Sequence, residues 1–142
     1  MSWLVVVIRL LFVGLPQYHV GVATTFSAVG DEQNPVAYAA CLHRDLRDAT
    51  DMIIAHRDLP CNAKVLICLV RTNRCVVASV GDRGPFGKKR NGTYRAAMDL
   101  APAVRRKLKH NGYEAVQWRS LTAEEGNTPW QNLQAMNAVR PN

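Results

Sequence analysis

Aromatic side chains are scarce in this 142-residue chain, at 7%, and acids are outnumbered, 11 against 18 lysines and arginines. Few aromatics leave little material for a flat platform that stacks on polysaccharide, the more so as Trp118 reads as core and Trp130 falls in a polar tail. The shortage of acids gives a net charge of +7 and a pI near 9.6, which favours an anionic partner: nucleic acid, anionic lipid or an acidic cell-wall polymer. No recognition-helix or zinc-finger pattern is present, so nucleic acid is not expected. The basic runs Lys88–Arg90 and Arg105–Lys109 read as a solvated loop and a solvated helix face. No Cys-x-x-Cys pair exists, which argues against a zinc ribbon, and no metal or cofactor is expected. Long apolar runs are missing too. The most apolar stretch, Leu4–Ile8 and Leu10–Leu15, is interrupted by Arg9 and falls short of the ~20 residues of a membrane span. It reads as the apolar part of an export signal or an anchor over residues 1–18, the one expected contact with a membrane. No Leu-x-x-Cys lipobox stands near the start and no internal repeat is visible.

What is present suits one domain with a hydrophobic core, since 48% of the residues are hydrophobic. The four cysteines, Cys41, Cys61, Cys68 and Cys75, allow three pairings. Cys68 and Cys75 flank the turn-like Val70–Asn73. A tight hairpin there would set them opposite each other and allow a cross-strand bridge, with Cys41 and Cys61 as the remaining pair. Four buried thiols are the alternative. Bridges together with an apolar head point to an oxidising, exported destination: periplasm, cell envelope or outside the cell.

Along the chain, His19–Phe26 reads as a first strand, rich in Val and Thr. Residues 30–35 read as loop, and Val36–Asp48 as a short helix or helical turn. Asp51–Ala55 is a second strand that delivers His56 at its end. Lys64–Val70 and Cys75–Val80 form a hairpin, and Gly84–Thr93 is a loop rich in Gly, Lys and Arg. Tyr94–Asp99 is a short strand, and Ala101–Gly112 a helix with Pro102 at its first position and Gly112 as its stop. Tyr113–Trp118 is the last strand. The polar remainder, 120–142, carries one amphipathic piece around Trp130, Leu133 and Met136 and reads as a poorly packed tail or a clasp. About six short strands without intervening helices predict a small, mainly β barrel with one or two short helices.

The segment Ala78–Pro85, followed by Phe86 and Gly87, carries the chemistry. A β-rich run ends in Gly81, and an acid, Asp82, and a base, Arg83, precede a Gly-Pro turn. A strand that stops on a carboxylate beside a turn puts it at the rim of a sheet, where it can meet a ligand; a surface turn in which Asp82 accepts backbone amides is the alternative. His56, Asp82 and Asp99 all stand at strand ends. A carboxyl partly shielded from water can hold a proton and donate it, which makes Asp82 the candidate acid/base. Asp45 and Asp48 precede His56 by eleven and eight residues and could return to the same groove.

Four segments in order, Gly21–Phe26, Ile54–Pro60, Val76–Phe86 and Met98–Leu100, resemble the rare lipoprotein A family, whose double-psi β-barrel is shared with expansins and barwin-like proteins. The resemblance runs over about residues 20 to 118 and implies such a barrel over 19–119. It implies a peptidoglycan ligand and lytic transglycosylase chemistry between N-acetylmuramic acid and N-acetylglucosamine, in which one carboxyl protonates the glycosidic oxygen and the sugar's 6-hydroxyl attacks. Carried over, Asp82 is the acid/base, His56 a supporting groove residue, and Asp45 stands where the family often has Glu. Arg83, Asp48, Asp99 and Phe86 are candidate substrate contacts; the residues themselves read Asp99 first as a structural acid that ties the entry of the helix. Ala101 replaces the usual Ser of the Asp-Leu-Ser segment. The rival reading is a monomeric wall-binding or wall-loosening module of expansin or barwin type that cuts nothing.

Overall fold

The structure is a computed structural model that describes residues 17–29 and 38–129. Nearly all of the expected leader, the whole 30–35 loop and the piece around Trp130, Leu133 and Met136 lie outside these residues. Six strands close a barrel in the order β1 (His19–Thr25), β7 (Met98–Leu100), β4 (Ile53–Ala55), β6 (Cys75–Asp82), β5 (Lys64–Leu69) and β8 (Glu114–Ser120). The pairs β1–β7 and β4–β6 are parallel; the others are antiparallel. Two short helices, α1 (Pro102–Leu108) and α2 (Ala123–Gly126), complete a mainly β architecture.

The hairpin β5–β6 forms where Val- and Ile-rich runs flank a four-residue turn, and Asn73 takes the left-handed conformation that Asn tolerates. Its register sets Cys68 opposite Cys75, and the two are bridged, with Cα atoms 4.0 Å apart. In β6, buried Val76, Ala78 and Val80 alternate with half-buried neighbours, the period-2 pattern of a strand with one inward face. These side chains meet Ile54, Met98 and Leu100 in the barrel core. Leu108 and Val104 of α1 close one side of it, as their four-residue spacing predicts.

Three elements differ from the sequence expectation. The described part of Val36–Asp48 is not helical: β2 (Tyr38–Ala39) and β3 (Arg44–Asp45) pair antiparallel as a flap. Ala39 and Leu46 bury against Ile53 and Ala101 in a second cluster outside the barrel, and this packing outweighs the local helix propensity of an Ala-rich run. Of Tyr94–Asp99, only Met98 and Asp99 lie in β7, because Arg95 gives its amide to Gly87 and Tyr94 bridges Lys88 in the preceding loop. Helix α1 stops at Lys109, three residues before Gly112. The left-handed Lys109 and the amide of His110, bonded to Arg105, end it, and the buried His110 accepts the Gly112 amide on Nδ1.

Two fastenings hold the periphery. Cys41 is bridged to Cys61, which ties the flap to the loop after β4. After β8, α2 has a reciprocal capping box between Thr122 and Glu125, and Arg119 holds the Glu125 carboxylate through two bonds of 3.1 and 2.7 Å. The start of the 120–142 segment is therefore clasped to the barrel.

Candidate functional site

A cross-strand row defines the site. Thr24 lies opposite Asp99, Asp99 opposite Ala55, and Ala55 opposite Asp82, on the neighbouring strands β1, β7, β4 and β6. Residues opposite each other in a ladder share a face, so two carboxyls flank one small side chain on the outer face of the barrel. The main chains of Asp99 and Asp82 are two strand spacings apart, about 9.5 Å. The row exists because of a register shift between Ile54 and Ala55 that brings Asp82, and not Gly81, opposite Ala55. Gly81 is required there, since a Cβ would stand 2.5–2.7 Å from Ile53 side-chain atoms.

The two carboxyls have different surroundings. Asp82 is half-buried, and its Oδ1 accepts the amides of Arg83 at 2.8 Å and Ala40 at 3.1 Å. No guanidinium pairs with it among the described residues. The carboxylate stands at the end of β6 and accepts backbone amides, as the surface-turn reading expects. Asp99 is half-buried and accepts the Thr24 hydroxyl. Burial raises its pKa above the usual carboxylate value; the Thr24 bond and the nearby Arg57 charge pull it back, and the Asp82 charge raises it further. Burial thus makes the Asp99 carboxyl easier to protonate than a free one.

His56 follows β4 at the mouth of the barrel. Its amide donates to the Asp82 carbonyl, and its ring Nδ1 accepts the amides of Asp58 and Leu59, both at 3.1 Å. With Nδ1 accepting, the ring proton sits on Nε2. The ring meets the edge of Trp118 at 6.4 Å, and His19 stacks on the same indole at 5.4 Å. Burial lowers the His56 pKa, so the ring is a neutral Nε2–H donor that first of all braces its own loop.

Arg83 has a bracing role as well. Its guanidinium donates to the carbonyls of Leu59 and His56 and to Cys61 Sγ, under the loop that the Cys41–Cys61 bridge fastens. Asp48 accepts the Ala28 amide at 2.8 Å and so tethers the chain after β1. Asp45 is exposed on β3, and the flap meets the rim through the amides of Ala40 and Cys41 instead. Phe86 is 63% exposed beyond Gly84, whose φ of 119° is a glycine conformation. Thus the row unites Asp82 and Asp99, with His56 adjoining through its backbone, while Asp45 and Asp48 serve other segments.

Two participants went unnoticed in the sequence. Thr24 lies in the opening motif, and Arg57 follows His56 directly. Arg57 Nη1 donates to the carbonyls of Pro85 at 2.5 Å and Ala96 at 2.9 Å, and its guanidinium carbon lies 3.8 Å from the Tyr94 ring centroid. The period-2 pattern of β1 and β7 was the available signal for Thr24. Arg57 carried none beyond its place in the motif.

No family profile matches the chain, and no curated protein matches it. Among solved structures it is similar to the Streptomyces papain inhibitor (SPI), with a TM-score of 0.53 and 19% identity, covering 75% of this chain and 96% of that one. The likeness concerns the fold: a closed six-stranded, double-psi-like β-barrel.

Proposed function

We propose that the chain is an exported protein of the rare lipoprotein A type that cleaves peptidoglycan strands by lytic transglycosylation at the Asp99–Asp82 row. The observation that carries this reading is the pair of rim carboxyls on either side of Ala55, one of them with a raised pKa. Asp99 gives its proton to the glycosidic oxygen between N-acetylmuramic acid and N-acetylglucosamine as the bond to the anomeric carbon breaks. The 6-hydroxyl of the same sugar attacks that carbon and forms the 1,6-anhydro ring. Asp82 takes the hydroxyl proton, and exchange with water restores both groups. No water enters the product and no oxidant is consumed. The neutral Nε2–H of His56 is a donor to a sugar oxygen at the barrel mouth. Two disulfides fit the oxidising compartment in which such a substrate lies.

A binding-only barrel of expansin or barwin type is the second reading. It is favoured by the two backbone amides that already occupy Asp82 Oδ1. The structural neighbour is likewise named as an inhibitor. Incubation with purified sacculi and mass analysis of the released fragments separates the two. The expected result is anhydro-muropeptides from the wild type, reduced about 10²–10⁴-fold in Asp99→Asn and in Asp82→Asn. Sacculus binding without soluble product would replace the enzyme by the module, and equal release from all three proteins would remove the row from the chemistry.

A further inference from the structure

Beside the acid row lies a shallow cleft of about 280 Å³. Val22 and Ala97 are among its lining residues, joined by the Ala97 amide to the Val22 carbonyl at 2.8 Å. Val22 precedes Thr24 by two residues along the chain and Ala97 precedes Asp99 by two, which sets the cleft about 6.6 Å along the strands from the row. Arg57, Lys89, Tyr94 and Arg95 line it as well. The loop from Arg83 to Arg95 holds five cations, Arg83, Lys88, Lys89, Arg90 and Arg95, and no acid. Among the described residues no carboxylate forms an ion pair with any of them or with Arg57. Arg57 is also pre-positioned: Nη1 is pinned by two carbonyls and the plane lies over Tyr94, while Nη2 and Nε have no acceptor among the described residues. A guanidinium fixed on one edge with its other nitrogens unengaged suits a carboxylate.

We propose that this cleft is a subsite for a carboxylate carried by the glycan, next to the sugar whose bond is cleaved. The inference rests on the row being a glycan groove and deepens it: the substrate is an acidic strand, read by Arg57, Lys89 and Arg95. Two sources share this chemistry, the lactyl carboxylate of a peptide-free muramyl residue and the carboxylates of a stem peptide. A nucleic acid fits less well. The aromatic ring that lines the cleft, Tyr94, is already covered by Arg57 at 3.8 Å and approached by Lys88 at 5.2 Å, so a base would have to displace a cation to stack there.

The test is titration calorimetry on the full chain carrying Asp99→Asn, which keeps the ligand intact. The probes are muramyl tetrasaccharides in three forms: peptide-free, with stem peptides, and with every carboxyl converted to an amide. One or both acidic forms are expected to bind about tenfold tighter than the amide form, and the tighter of the two identifies the source of the carboxylate. Lys89→Ala and Arg95→Ala should each remove most of that preference, while Arg105→Ala and Lys107→Ala on α1, with the same loss of charge, should leave it. Equal binding of the amide form, no binding of any form, or an equal loss in the helix variants would overturn the proposal. So would an oligothymidylate that binds as tightly as the glycan and depends on the same two residues. A retained preference without anhydro products from sacculi would keep the subsite and discard the catalytic reading.

Discussion

The two sides of the acid row are built in opposite ways. On the Asp82 side, the flap is fastened by the Cys41–Cys61 bridge, by Arg44 holding Asp51 through bonds of 2.9 and 2.7 Å, and by an apolar cluster of Ala39, Leu46, Ile53 and Ala101. On the Asp99 side, residues 86–95 are exposed, have neither bridge nor ion pair among the described residues, and are closed by their own backbone bonds and an Asn91–Gly92 turn. Buried contacts and cross-links are the usual source of stability, whereas exposed like charges repel one another and contribute little until an anion arrives. The flap side is thus built from buried contacts and cross-links, and the basic side from exposed charge.

The sharpest way to break this comparison is to remove the bridge. A 20-residue separation between Cys41 and Cys61 corresponds to about 3 kcal/mol of restricted unfolded-chain entropy. Cys41→Ser with Cys61→Ser is expected to lower the melting temperature by about 10 °C, at roughly 2–4 °C per kcal/mol for a domain near this size. The matched change on the other side, Lys88→Ala with Lys89→Ala, should move stability by no more than about 0.5 kcal/mol. Thermal melts of the two double variants that coincide would show that the sides are not built differently.

Asp51 gives the next effect. It is buried, it accepts two Arg44 bonds and the Arg47 amide at 2.7 Å, and the Arg44 guanidinium holds its pKa below the ordinary value. A depressed folded pKa contributes stability that is present above the unfolded value, about 3.9, and is lost as pH falls through the folded one. Asp51→Asn is expected to cost on the order of 2 kcal/mol at neutral pH. Below about pH 4 its melting curve should approach that of the wild type. A constant gap across that range would deny the ion pair its share of the flap's stability.

The same contrast explains what could be read from the sequence. The β5–β6 hairpin was legible because its signals are local: two Val- and Ile-rich runs, a polar turn, and cysteines spaced to face each other. Pro102 likewise marked the start of α1. The flap was not legible, since Tyr38–Leu42 has a helical composition and becomes β only when Ala39 and Leu46 bury against Ile53 and Ala101, contacts made across the chain. At the site, Asp82 was visible as a strand-end acid. The distinction between it and Asp99 was not, because it depends on the register Thr24–Asp99–Ala55–Asp82 and on burial, neither of which a linear motif records. The bracing roles of His56 Nδ1 and of Arg83 belong to loop geometry that spacing alone does not contain.

Asp99 gives the smallest effect and the opposite sign to Asp51. Burial raises its folded pKa, so its favourable contribution is present below about pH 3.9 and is lost as pH rises through the folded value. At neutral pH the wild type therefore carries a penalty that a neutral isostere removes. Asn at this position keeps an oxygen to accept the Thr24 hydroxyl. Asp99→Asn is expected to be more stable than the wild type by on the order of 1 kcal/mol at pH 7, with the gain vanishing as the solution becomes acidic. Chemical denaturation of both proteins at pH 7 and pH 3.5 measures the gain directly. A variant less stable at pH 7 would mean that the carboxylate contributes to holding the barrel together, and that the row is a structural feature with no proton held in reserve.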